Sequence, residues 1–184
     1  MFDLDRFIEE CRNAARENDD SRAIREIVAR EVSDANSVIA GLGEPLEGGS
    51  NCLYQGSDIT ILNVIWPAYM TIMPHNHNMW AVIGVYTGRE DNIFWRRLET
   101  ENGKSIEAAG AKSLGLGDVS PLGPDIIHSV TNPTMKYTAG IHVYGGDFFA
   151  AHKSEWESET LTEAPFVAET ARRLFAEADA RARR

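Results

Sequence analysis

The chain has 184 residues, of which 43% are hydrophobic and 25% charged, with a formal net charge of -10. That length predicts one domain with short additions over 1–184, and that composition allows a sizeable core. The acidic balance argues against charge-driven binding to nucleic acid or anionic membrane, since the only basic cluster is Arg181, Arg183 and Arg184. Cys11 and Cys52 are the only cysteines and make no disulfide framework. Asp3, Asp5, Glu9 and Glu10 are the opposite of a secretory leader's basic start, and no apolar run approaches the ~20 residues of a membrane span. A cytoplasmic location is expected.

The first 45 residues read as two helices. Asp3 can cap one over 3–18, where Phe7, Cys11 and Ala14 recur at helical spacing. Asp19-Asp20-Ser21 breaks it, and a second helix over 22–40 carries Ile24, Ile27, Val28 and Val32 on one stripe. Gly41 to Pro45 ends it. Residues 46–57 are rich in Gly and Asn and read as a loop.

Strand-like runs then fill 46–150. They cover 58–67, 70–73, 81–86, 92–98, 104–109, 111–116, 129–130 and 136–144. Turn signals separate them at Thr87-Gly88-Arg89, Glu101-Asn102-Gly103, Gly110, Gly123-Pro124 and Asn132-Pro133. Many short strands at such spacing mean an all-β sandwich or barrel. Residues 151–184 read as a polar connector followed by a helix from about 165 to 181, with Phe166, Val167, Leu174 and Phe175 on one face.

The stretch Pro74-His75-Asn76-His77-Asn78 carries the chemistry. Two histidines two apart on a strand face the same way, and converging imidazoles suit a divalent transition metal. His128, after the run Gly117 to Pro124, is the candidate third ligand. Only five histidines occur in the chain, so three in such places is informative.

His75-x-His77 with Gly88 eleven residues on resembles the first motif of the cupin superfamily. Gly117-x3-Pro121-x-Gly123-x4-His128-x3-Asn132 resembles the second. The resemblance implies a jelly-roll, double-stranded β-helix barrel, to which the helical patterns add two N-terminal helices and one C-terminal helix. The carboxylate that usually accompanies the first motif would fall near Ala81, where none stands. A three-His site without it resembles the cysteine dioxygenase group of thiol dioxygenases, as does Ala139-Gly140-Ile141-His142-Val143-Tyr144, which is similar to that group's Ser-x-His-x-Tyr strand. The match spans roughly 50–150.

The resemblance implies a mononuclear iron(II) site held by His75, His77 and His128, acting on a small thiol with dioxygen. Ligand type alone also admits zinc, manganese, nickel or copper. His142 would orient the Tyr144 hydroxyl toward substrate, although the group's Ser corresponds to Gly140. The group's carboxylate-clamping Arg is missing from 50–54, which makes Arg96 the candidate substrate-binding cation and Trp80 a candidate pocket wall. No Cys stands near Ala81 or Val82, so no cross-link to Tyr144 is expected. A carbon-centred substrate such as a diketone is the second reading. A non-catalytic metal-binding sensor, with His142 as fourth ligand, is the third. Cupins as a group are often dimers, and no interface motif is readable here.

Overall fold

The computed structural model describes residues 1–17, 21–99 and 105–183. Eleven strands lie between three N-terminal helices and one C-terminal helix in the described residues. They form two antiparallel sheets that face each other. The first runs β1 (Gly49–Gln55), β2 (Thr60–Trp66), β9 (Thr138–Tyr144), β4 (Ala81–Thr87), β7 (Val119–Leu122). The second runs β11 (Glu163–Pro165), β10 (Ser154–Trp156), β3 (Thr71–Asn76), β8 (Ile127–Thr131), β5 (Arg89–Arg97), β6 (Ile106–Gly115). Neighbours in each sheet are mostly distant in sequence, the crossover pattern of a double-stranded β-helix. The all-β core and barrel expected from the sequence are therefore present.

Alternation along the strands divides the core in two. On β9, Ala139, Ile141 and Val143 face out and pack with Phe7, Cys11, Ile24 and Val28 of α1 (Leu4–Glu17) and α2 (Arg22–Val32). On β2 and β4, Leu62, Val64, Trp66, Ala81, Ile83 and Val85 face into the barrel. The N-terminal helices thus cover the outer wall of the first sheet and leave the barrel mouth alone. Gly84 is where α2 comes closest: a Cβ there would stand 2.3 Å from Val28 Cγ1.

Local chemistry departs from the sequence reading at four places. The helix expected over 22–40 is two, α2 and α3 (Ala35–Leu42), because Asp34 turns out to be a cap: its side chain accepts from the Ser37 amide at 3.1 Å. Residues 49–55 are a strand rather than loop, since β2 offers them a full antiparallel partner. The two runs expected on either side of Gly110 form one strand, with Ala109 absorbed as a bulge opposite Phe94 and Trp95. The connector after 150 contains the β10–β11 hairpin, anchored by the fully buried Trp156. Asp19, Asp20, Lys104, the Glu101-Asn102-Gly103 turn and Arg184 lie outside the described residues.

α4 (Ala168–Ala182) packs back on the barrel, with Phe175 stacked on Trp66 at 5.3 Å between ring centroids. Cys11 is buried and Cys52 exposed, and they are not bonded to each other. No helix among the described residues is long and apolar enough to cross a membrane.

Candidate metal centre

His75 is the penultimate residue of β3 and lies directly opposite His128 of β8 in the strand register. His77 follows two residues later, on the same face. One donor nitrogen from each of the three converges, all within 4.8 Å of one another. His77 Nε2 stands 3.3 Å from His75 Nε2 and 3.2 Å from His128 Nε2. The spacing motif therefore brings together the residues expected of it.

The rings are held from behind. His75 Nδ1 is 3.0 Å from the Met73 carbonyl, an acceptor only, so Nδ1 carries the proton and Nε2 keeps a free lone pair. His128 Nδ1 is 2.7 Å from Asn92 Oδ1. Asn92 in turn donates through Nδ2 to Glu90 Oε1 at 3.0 Å. Glu90 is fully buried, and its Oε2 accepts from Trp66 Nε1 at 2.9 Å. An ionised carboxylate only accepts, so Glu90 forces the Asn92 amide to present its nitrogen to Glu90 and its oxygen to His128. The charge on Glu90 thereby sets the tautomer of a triad histidine two hydrogen bonds away.

Burial lowers the proton affinity of all three imidazoles. His75 falls to about 4. His77 and His128 fall well below the usual histidine value, with neighbouring imidazoles pushing the same way. The triad is thus neutral near pH 7, the form that binds metal. Burial pushes the Glu90 carboxyl up, yet hydrogen bonds and the nearby His142 hold it below the ordinary carboxylate value. Three buried neutral imidazoles, two of them hydrogen-bonded from behind, fit a late first-row divalent metal.

His142 and Tyr144 share the inward face of β9, as expected. His142 Nδ1 is 3.3 Å from the Tyr144 hydroxyl. Its Nε2 lies 3.5 Å from Glu90 Oε2 and is the one buried side-chain nitrogen or oxygen without a hydrogen-bond partner among the described residues. Gly140 makes room here, since a Cβ on it would stand 3.3 Å from that nitrogen. The Tyr144 ring meets His77 edge-on at 5.0 Å. His142 is not part of the converging group, so no fourth protein donor closes the triad among the described residues.

Arg96 and Trp80 stand elsewhere. The β5–β8 ladder ends at Trp95 opposite Ile127, so Arg96 lies past the barrel wall, exposed and paired with Glu107. Trp80 precedes β4 by one residue and shares parity with outward-facing Val82, so its ring packs over Gly145 beside the outer cluster. Neither lines the cavity. Asn132 is buried, and its amide donates to the carbonyls of Trp66, Pro67 and Lys136, closing a turn rather than touching the site. His152 is exposed, as read.

Above the triad lies a cavity of about 460 Å³, walled by apolar residues of β2 and β3 and roofed by Phe148, Phe166 and α4. Glu90, Asn92 and Lys153 escaped the sequence reading as site residues. Glu90 and Asn92 share the inward parity of β5, and that alternation was the available signal.

No protein-family model and no curated protein matches the chain. Solved structures do. A double-stranded β-helix domain protein from Klebsiella pneumoniae is similar at 14% identity and TM-score 0.46, over 60% of this chain and 85% of that one. An RmlC-like cupin from Methanocaldococcus jannaschii is similar at 10% identity and TM-score 0.46, over 56% and 84%. The DMSP lyase DddQ from Ruegeria pomeroyi is similar at 14% identity and TM-score 0.48, over 61% of this chain and 53% of that one. The first two are themselves double-stranded β-helix or cupin proteins, the fold traced above from the strand order.

Proposed function

We propose that the chain is a mononuclear metal-dependent dioxygenase that holds iron(II) on His75, His77 and His128 and oxidises a small thiol to a sulfinate, RSH + O2 → RSO2⁻ + H⁺. The observation that supports this reading is the donor set: three neutral imidazoles and no carboxylate among them. Such a set leaves the full charge of a divalent ion to be balanced by an anionic ligand, for which a thiolate is well suited. The bound iron would supply a redox-active position where thiolate and dioxygen meet.

The chain's own residues do the rest. The triad occupies one side and the cavity opens on the other. Phe148 and Phe166 give that space an apolar lining. The Tyr144 hydroxyl can give its hydrogen bond to His142 Nδ1 or turn it toward bound substrate.

One observation favours a second reading, a carbon-centred substrate such as a β-diketone. Where the resemblance implies a neutral serine beside His142, the space is left by Gly140 and faced by the Glu90 carboxylate. A phenol backed by an imidazole and then by a carboxylate is an arrangement for holding a proton taken from carbon.

Anaerobic loading with iron, followed by oxygen uptake against cysteine, 3-mercaptopropionate, cysteamine and a β-diketone, tests both. Uptake with one thiol and an equivalent of sulfinate is the expected result. Uptake with the diketone alone moves the assignment to the second reading. Failure to hold iron while holding zinc tightly refutes the oxidative reading.

A further inference from the structure

Two cations line the cavity above the triad, Lys153 and Arg172, and Lys153 is the one that is half-buried. Lys153 lies on the arm between β9 and β10, where the chain crosses back toward β3. Its ammonium stands 3.5 Å from the centroid of the Phe148 ring and 5.4 Å from that of Phe166. Phe148 in turn packs against Tyr144 at 4.3 Å and His77 at 5.9 Å, and Phe166 against His75 at 6.1 Å. One aromatic layer therefore separates the ammonium from two ligand histidines.

The aromatic faces are this charge's partners, and no counter-ion among the described residues balances it. Lys153 Nζ donates to the Phe148 carbonyl, which uses one of its three donors. No carboxylate oxygen among the described residues comes within ion-pair distance of it. Asp147, the nearest acid acting on it, is engaged by Gln55 and by the amides of Phe149 and Ala150. The other charged lining groups are spoken for or face solvent. Arg172 is exposed and paired with Glu169, Asp179 accepts from Gly48 and Tyr137, and Glu47 is exposed. A half-buried ammonium held by ring faces and one carbonyl, without a carboxylate partner, keeps donor capacity for an anion entering the cavity. Burial lowers its proton affinity to about 8, a shift that a bound anion would reverse.

We propose that Lys153 is the anion-binding residue of this site. Its substrate is then a small organic acid, with the carboxylate held by Lys153 and the other end presented to the three histidines. This rests on the triad being a metal centre but not on the substrate being a thiol. Lys153 would take the role that the sequence assigned to Arg96, from the arm after the barrel rather than from a barrel strand.

The test loads the full chain with cobalt(II), follows the metal's visible spectrum, and titrates two acid–amide pairs: 3-mercaptopropionate with 3-mercaptopropionamide, and lactate with lactamide. Wild-type protein should bind the acid of at least one pair roughly 10- to 100-fold more tightly than its amide, the worth of a hydrogen bond to a charged group. Lys153→Met should retain one cobalt per chain and lose that preference, while Lys153→Arg keeps most of it. No preference for either acid in wild-type protein overturns the proposal, and so does a preference that survives in Lys153→Met. A lysine-dependent preference for lactate with both thiols silent upholds the anion site and refutes the thiol reading.

Discussion

Glu90→Gln isolates the role of one buried charge. The side chain keeps its shape and exchanges one acceptor oxygen for a donor NH2. Two donors currently point at the carboxylate, Trp66 Nε1 at 2.9 Å and Asn92 Nδ2 at 3.0 Å. If the new NH2 faces Trp66, two donors oppose each other in a buried site, at about 1–3 kcal/mol. If it faces Asn92, that amide must flip. Asn92 would then present NH2 to His128 Nδ1, and His128 would have to carry its proton on Nε2, the atom that faces the metal. Loss of a buried partner behind a ligand typically weakens metal binding about 10- to 100-fold. Removing a desolvated charge works the other way on overall stability, so the melting temperature does not decide the matter. The decisive assay is chelator competition for zinc or cobalt at neutral pH. Affinity within threefold of wild type would refute the argument that Glu90 sets the His128 tautomer.

Other expectations follow from the same geometry. His128→Ala should lose most bound metal by elemental analysis while its far-ultraviolet spectrum stays native, and stoichiometric metal would refute the ligand set. Tyr144→Phe should keep its metal and lower turnover by about 100-fold or more, the usual weight of a positioned proton donor; full activity would remove Tyr144 from the chemistry. The metal-free protein should lose stability as pH falls from about 6.5 toward 4, read from urea midpoints. The buried triad binds fewer protons than the unfolded chain there, at roughly 1.4 kcal/mol per pH unit for each histidine concerned. A midpoint flat over that window would contradict the neutral triad. Gly84→Ala should destabilise by about 1–3 kcal/mol in the same assay, because the added methyl collides with Val28.

The barrel was legible because its signals are local. Alternation and turn residues mark β2, β4 and β9, and their inward and outward sets separate as period 2 requires. What escaped were strands formed by pairing rather than propensity. β1 contains Gly49, Ser50 and Asn51, poor strand formers that become a strand only because β2 stands beside them. The hairpin of β10 and β11 has three residues on each side and is held by Trp156 and by the Glu155 register with His75. The end of α2 was hidden for a related reason. Ser33-Asp34 looks tolerable within a helix until the Asp34 side chain is seen capping the next one.

The site divides along the same line. The three triad histidines come from two motifs of short sequence spacing, so the sequence could point to them. The residues that make the ligands usable come from elsewhere. Asn92 reaches His128 because β5 pairs with β8, and Glu90 follows from Asn92 by the period of its own strand. No carboxylate stands near Ala81 or in the triad, while the buried Glu90 carboxylate acts behind His128 through Asn92, in the same sheet as His75 and His128. Arg96 shares strand parity with the inward-facing Glu90 and Asn92. What parity along a strand cannot tell is where the neighbouring strand stops. Here it stops one residue before Arg96 and leaves that side chain to Glu107 and solvent. Lys153 carries no strand signal at all. It reaches the cavity because β10 joins the sheet beside β3 and draws the preceding arm across the barrel mouth, so the cation came within range of the histidines through topology alone.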